Sequence, residues 1–419
     1  MVAVPFVYFM LLFYHYYRKA GSKIDMACFI VLIFATSAFF TILIDVFQLR
    51  SSQTWNYQIS FGATFIYCAL ITLCTIPISK YTSSCIITAH PLKSTQILEI
   101  LAWIAFLYFI FDLVMSFDSL VRILNGDLGE IREAHYRGDN ETSWMSRIPP
   151  FARAPFSLLN YIFGCFWILQ FLGFFCLYVQ KMPPKYSVLY ILASSRFIIG
   201  NIYAAGRSAV MYWLIGIGAC YIFFGFLMSK EQKRRIIISM IPLLLLAVAY
   251  IVAVTMSRFG EIRNGGVSGF QGGLIGYMGQ PFLNFSYFWD NFTSPYTFWQ
   301  NVLPVTNNII LSDPVRGGVQ VQEVLTMWTG FDLGVFYSFI GQIQTAVGKI
   351  PAILYCVIVF FLSNIYLKRT KRFGLTITNG FYYMLFSSVL FLGLFGHYYV
   401  SAIDVVSVIT FSFILHIIE

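Results

Sequence analysis

The chain has 419 residues, 58% hydrophobic, 19% aromatic and 11% charged, with a mean hydropathy of +0.74. A soluble globular chain carries roughly 25% charged and about 45–50% apolar residues, so this composition excludes a water-soluble enzyme, a disordered protein and a secreted disulfide scaffold. The net charge of +9 would suit a nucleic-acid partner, but the basic residues lie mostly in short linkers, where they orient a membrane protein instead.

A spanning helix takes about 20 mostly apolar residues. Eleven segments qualify: 1–17, 26–47, 59–78, 97–117, 156–180, 186–204, 208–228, 236–256, 338–367, 376–396 and 398–418. The expected fold is an all-α polytopic integral membrane protein, one transmembrane domain over residues 1–419, with two long loops at 118–155 and 257–337. The last two segments share only the turn at His397, which leaves a re-entrant pair open. The piece of the ninth before Pro351 is open to lying flat on the membrane. The first apolar run lacks a basic start, so it reads as a span and not a cleaved leader. There is no internal repeat of the kind that builds two-halved transporters.

Assigning the linkers alternately to two sides puts fifteen of the 27 basic residues on one of them. They are Arg18, Lys19, Lys23, Lys80, Lys93, Lys181, Lys185, Lys230, Lys233, Arg234, Arg235, Lys368, Arg369, Lys371 and Arg372. Short basic linkers stay in the cytoplasm, so the amino terminus is expected outside and the carboxyl terminus inside. Lys349 is the lysine assigned to the outer side, together with both long loops. All eight cysteines lie outside those loops, as suits a bacterial inner-membrane protein. No Cys or His cluster has ligand spacing, so neither metal nor cofactor is expected.

The first long loop mixes Arg122, Arg132, Arg137, Arg147 and Arg153 with six acidic residues and reads most simply as a solvated amphipathic helix. The second opens on Ser257-Arg258-Phe259-Gly260-Glu261-Ile262-Arg263 and continues through Gly265, Gly266, Gly269, Gly272, Gly273, Gly276 and Gly279. Glycines turn backbone amides toward a ligand and arginine forks grip phosphate oxygens. The stretch therefore reads either as a phosphate-binding rim or as a flexible entry to the loop. From Tyr277 to Trp299, ten of 23 residues are aromatic, Trp289 among them. Such rings suit sugar faces and equally suit the headgroup layer of a membrane.

Charge at membrane depth costs roughly 2.5–3.5 kcal/mol and marks function by default. Arg196 falls near the middle of the sixth segment, with Asp45, Asp112 and Asp404 as available partners, and a purely structural ion pair is the alternative. Arg207 closes that segment on the outer side. His397 reads either as a base or as a plain interfacial residue.

The chain resembles the Wzy-type O-antigen and capsule polymerases, which join oligosaccharide repeat units. The likeness lies in about eleven spans with two enlarged outer loops, and in Gly206-Arg207-Ser208, Ser257-Arg258-Phe259, Tyr277-Met278-Gly279-Gln280-Pro281-Phe282 and Phe331-Asp332-Leu333-Gly334. An arginine followed eleven residues later by glycine occurs at Arg258–Gly269 and Arg153–Gly164. The resemblance implies a glycosyltransferase of the bacterial inner membrane. Its donor is a polymer on undecaprenyl diphosphate, and its acceptor is a single lipid-linked repeat unit. A chain-length regulator and a flippase are the partners it implies. Developing diphosphate charge needs cations: Arg207 and Arg258 first, then Arg196, Arg263 and Arg316. The acceptor hydroxyl needs a base, for which Asp332 is preferred over Asp290, Glu323 and His397. Tyr277, Trp289 and His397 are expected to line the substrate. An O-antigen ligase would carry a histidine in the large loop, and residues 257–337 hold none. A lipid-linked oligosaccharide flippase would have shorter loops and paired halves. A non-catalytic assembly partner is the remaining alternative.

Overall fold

The computed structural model describes residues 1–51, 53–81, 88–117, 121, 150–202, 208–259, 263–264, 267–293, 326–398 and 402–419. Among these the chain is almost entirely helical. The helices are α1 (Val4–Lys19), α2 (Met26–Val46), α3 (Phe61–Lys80), α4 (Gln96–Met115), α5 (Pro150–Phe163), α6 (Phe166–Tyr178), α7 (Pro184–Ser194), α8 (Arg196–Ile202), α9 (Ser208–Phe224), α10 (Lys230–Phe259), α11 (Gly269–Asn291), α12 (Ser338–Val347), α13 (Lys349–Phe373), α14 (Ile377–Phe391) and α15 (Ala402–Ile418). A ribbon of two-residue strands pairs Arg263 with Ser268 and Asn264 with Val267 in antiparallel register. Most of the expected first long loop, and residues 294–325 of the second, lie outside the described residues.

Six described helices are long and apolar enough to cross a membrane: Met26–Val46, Phe61–Lys80, Gln96–Met115, Ser208–Leu227, Lys230–Met256 and Lys349–Phe373. They become seven if α5 and α6, bent by 64°, count as one span. The chain is thus an all-α protein of multi-pass membrane type. The other four expected segments hold shorter helices: α1, the pair α7 and α8, α14 and α15. The ninth segment is two helices, parted at Gly348 by a φ of 101° that a side chain would resist. Its first piece, α12, is buried along nearly its whole length.

The chain divides into two compact units. One comprises residues 1–85, 259–372 and 382–402, and the other residues 86–258, 373–381 and 403–419. In the first, α11 packs on α2, although its residues were expected within a loop. Gly272, Gly276 and Gly279 recur at spacings of four and three, which puts them on one helix side. A Cβ on Gly279 would lie 2.7 Å from the backbone of Phe40 and from Ile44, while one on Gly272 would meet Leu49 at an ordinary 3.5 Å. Close approach of this kind is what small residues provide between helices in lipid. Pro281 removes a rung of the α11 ladder, and hydroxyls from α2 bond the carbonyls just before it: Ser37 Oγ donates to Met278 O and Thr41 Oγ1 to Gly279 O, both at 2.7 Å. Below, Tyr67 of α3 packs on Phe282 and Phe285 with ring centroids 5.1 and 5.0 Å apart.

In the second unit the bend between α5 and α6 falls at Gly164, where a Cβ would lie 2.0 Å from Ile403. Ser407 of α15 serves both sides of the break, donating to Tyr161 O at 2.6 Å and accepting from Cys165 N at 3.3 Å. Irregular backbone in a membrane protein needs such internal partners. Helix α10 is the opposite case, with its apolar stretch almost wholly uncovered by protein, as suits a helix surrounded by lipid.

Candidate functional site

Arg196 begins α8 directly after the chain breaks at Ser195, whose hydroxyl donates back to Leu192 O at 2.6 Å. Its guanidinium meets three partners of the second unit. Nε lies 3.2 Å from Asp112 Oδ2 as an ion pair, without the alignment of a hydrogen bond. A terminal nitrogen donates to Asn160 Oδ1 at 2.7 Å, and the plane sits 4.3 Å from the centre of the Tyr108 ring. The arginine and aspartate side chains are 16% and 4% exposed. Of the three carboxylates available in the sequence, the fold selects Asp112. Carboxylate, amide and ring together engage the arginine within the protein, which makes it a tie between α4, α5 and α8.

In the first unit the residues with reactive side chains gather on the segment between α2 and α3, which sequence reading had passed over. Arg50 is bound to Asp45 through Nε at 3.0 Å and a terminal nitrogen at 2.6 Å, and it also donates to the Tyr57 carbonyl. Gln53 Oε1 accepts from the Asp332 amide at 2.7 Å. Tyr57 donates its hydroxyl to Asp290 Oδ2 at 2.5 Å and to Ser286 O at 2.9 Å, while Ser60, the N-cap of α3, donates to Asp290 Oδ1 at 3.0 Å. Burial, and then the Asp290 charge, push the Tyr57 hydroxyl above the usual phenol range, so it remains a donor at neutral pH. Asp332 is exposed and closes a local turn, its Oδ1 accepting from Gly334 N at 2.9 Å. One short segment therefore holds the Asp290 carboxylate and the Asp332 backbone amide, and both aspartates are exposed.

Tyr277 is half-buried in a trio with Phe336 and Phe395, at centroid distances of 4.7 and 5.2 Å. Trp289 is 8% exposed, stacked on Phe285 at 5.4 Å with the Lys349 ammonium 5.7 Å from its ring centre. Of the aromatic run from Tyr277 to Trp299, the part on α11 is largely buried, because one side of α11 faces α2 and α3 and the other faces α12, while Tyr296, Phe298 and Trp299 lie outside the described residues. His397, 8% exposed, follows Phe395 in the segment after α14. Its amide donates to Gln342 Oε1 at 2.6 Å and its Nε2 shares a hydrogen bond of 2.8 Å with the Tyr355 hydroxyl. Burial pushes the imidazole down to about 4, so the ring is neutral at physiological pH.

Asp332, Tyr277, Trp289 and His397 all belong to the first unit, and Arg196 to the second. Arg258 closes α10 and Arg263 lies in the first strand of the ribbon, but their side chains lie outside the described residues, as do Arg207, Arg316 and Glu323. Among the described residues no His, Cys, Asp and Glu group could hold a metal ion. Tyr57, Arg50 and Gln53 carried no sequence signal, since one tyrosine, one arginine and one glutamine in a short linker match no motif. Comparison with protein-family models, curated proteins and solved structures found no match.

Proposed function

We propose that this membrane protein polymerises undecaprenyl-diphosphate-linked oligosaccharide repeat units into O-antigen or capsular polysaccharide at the periplasmic face of a bacterial inner membrane. The chain then crosses eleven times, with its amino terminus periplasmic and its carboxyl terminus cytoplasmic, as the placement of lysine and arginine implies. The observation that carries the reading is that the segment between α2 and α3 fixes two exposed aspartates, Asp290 through its carboxylate and Asp332 through its backbone amide. That topology puts this segment on the periplasmic side.

In the reaction, the acceptor sugar hydroxyl passes its proton to a carboxylate, Asp332 or Asp290, within hydrogen-bond reach. Its oxygen attacks the anomeric carbon of the donor, the bond from that carbon to the diphosphate oxygen breaks, and undecaprenyl diphosphate leaves. Arg207 and Arg258, supported by Arg263 and Arg316, take the diphosphate charge in the roles that the family resemblance implies. Arg196, engaged by Asp112 and Asn160, holds the helices. No nucleotide sugar is consumed, in keeping with a sequence that lacks a phosphate-loop motif.

The test is a surface-glycan gel from the source strain with the gene deleted and then restored. Glycan arrested at one repeat unit, with the ladder restored by the wild-type gene and not by Arg207→Ala or Arg258→Ala, supports the reading. Long polymer retained on undecaprenyl diphosphate would instead identify a ligase, and single units trapped on the cytoplasmic face a flippase. An unchanged ladder would sink the glycan reading altogether.

A further inference from the structure

The segment between α2 and α3 is pinned at three places, by Arg50 on Asp45, by Gln53 on the Asp332 amide, and by Tyr57 and Ser60 on Asp290. Between the second and third pins stands Trp55, 55% exposed. Four residues before Asp332, in the helical turn 326–329 that leads to it, stands Trp328, 54% exposed. Among the other described tryptophans, Trp289, Trp167 and Trp213 are buried, while Trp103 on α4 is 45% exposed. More than half of each of Trp55 and Trp328 is left uncovered by the protein, close in the chain to the exposed Asp332 and to the residues that hold Asp290. A rigidly held aromatic face loses little entropy when a ligand stacks on it.

We propose that Trp55 and Trp328, with Asp290 and Asp332, form the surface that receives the terminal, non-reducing sugar of the acceptor. The apolar face of the sugar ring lies on an indole and its hydroxyls donate to the carboxylates. The proposal rests on the polymerase reading for the word acceptor; the sugar-binding surface itself rests on the geometry. Arg50, paired with Asp45 and the Tyr57 carbonyl, is committed to the segment's own structure, so the surface is anionic. It therefore takes neutral or amino sugars and disfavours uronic acids, whose carboxylates would meet those of Asp290 and Asp332.

The experiment uses the full chain in lipid nanodiscs and, as probe, the strain's repeat-unit oligosaccharide freed from its lipid by mild acid, with binding followed by calorimetry. Trp55→Ala is expected to weaken binding about tenfold or more, Trp55→Phe to restore most of it, and Asp290→Asn to weaken it with the fold intact by thermal melting. Trp103→Ala, on α4 in the other unit, serves as the control and leaves binding unchanged. Unchanged affinity in both Trp55→Ala and Trp328→Ala would overturn the proposal. So would a Trp55→Ala protein that loses thermal stability in the nanodisc while binding the probe normally, which would make Trp55 a membrane-interface anchor. Polymer formation by a wild-type protein that does not bind the probe would remove this surface and leave the polymerase reading standing. Trp55-dependent binding by a wild-type protein that makes no polymer would keep the surface and remove the polymerase reading.

Discussion

Arg196 illustrates what a charge does inside an apolar bundle. Isolated it would be costly, but the Asp112 carboxylate, the Asn160 amide and the Tyr108 ring compensate it. Removing one member of such a pair leaves the other uncompensated, at about 3–5 kcal/mol. Arg196→Ala should therefore lower the melting temperature of the detergent-solubilised chain strongly. Arg196→Ala combined with Asp112→Ala should cost less than the sum of the single changes, and additive losses would refute the tie. His397 makes a second prediction. Its folded pKa of about 4 lies below the ordinary 6.5, so the unfolded chain binds a proton first as pH falls. The stability contributed by the neutral ring is complete above about pH 6.5 and drains away between there and pH 4. Thermal melts across that range should fall more steeply for the wild type than for His397→Asn, and parallel curves would count against a buried neutral imidazole. Arg196 and its three candidate carboxylates were legible in the sequence because charge within an apolar run stands out. Tyr57 and Gln53 were not, because their roles exist only once α11 and the turn at Asp332 have been brought to them.

At the scale of elements, α11 shows how one composition supports opposite readings. Glycines at 272, 276 and 279 fit a mobile rim that wraps phosphate, and they fit equally a helix that must approach another closely. The deciding fact is what a Cβ would meet. Gly279→Ala pushes into the Phe40 backbone and should destabilise by about 1–3 kcal/mol, whereas Gly272→Ala, with ordinary contacts, should be neutral or slightly stabilising. Thermal melting of the two variants in the same detergent checks this; equal effects would mean that α11 does not seat on α2 as described. Gly164 carries the same lesson for the bend between α5 and α6, where Ile403 leaves no room for a side chain and Ser407 bonds both sides of the break.

Among the described residues, six helices, or seven with the bent pair, have the length and apolarity to cross a membrane, and the proposed orientation rests on the basic linkers. The proposed topology is directly measurable. A carboxyl-terminal fluorescent protein that matures only in the cytoplasm should fluoresce, and alkaline phosphatase, active only outside, should be active when inserted at residue 56. A dark terminal fusion would reverse the topology and move the segment that holds Asp290 and Asp332 to the wrong side for a periplasmic polymerase.

What the residues alone determined was the solvent of the protein and the period of its chain. Apolar runs of about 20 residues commit a segment to helix because lipid leaves no other way to satisfy backbone groups, and that is a local property. Which glycines are hinges and which are contacts, which rings are buried and which stay exposed, and which carboxylate Arg196 meets were decided only by tertiary structure. Each depends on atoms brought from distant positions, as Tyr57 is to Asp290 across 233 residues. An aromatic run carries no mark of the side it will bury, and a short polar linker carries no mark of the helix end it will hold.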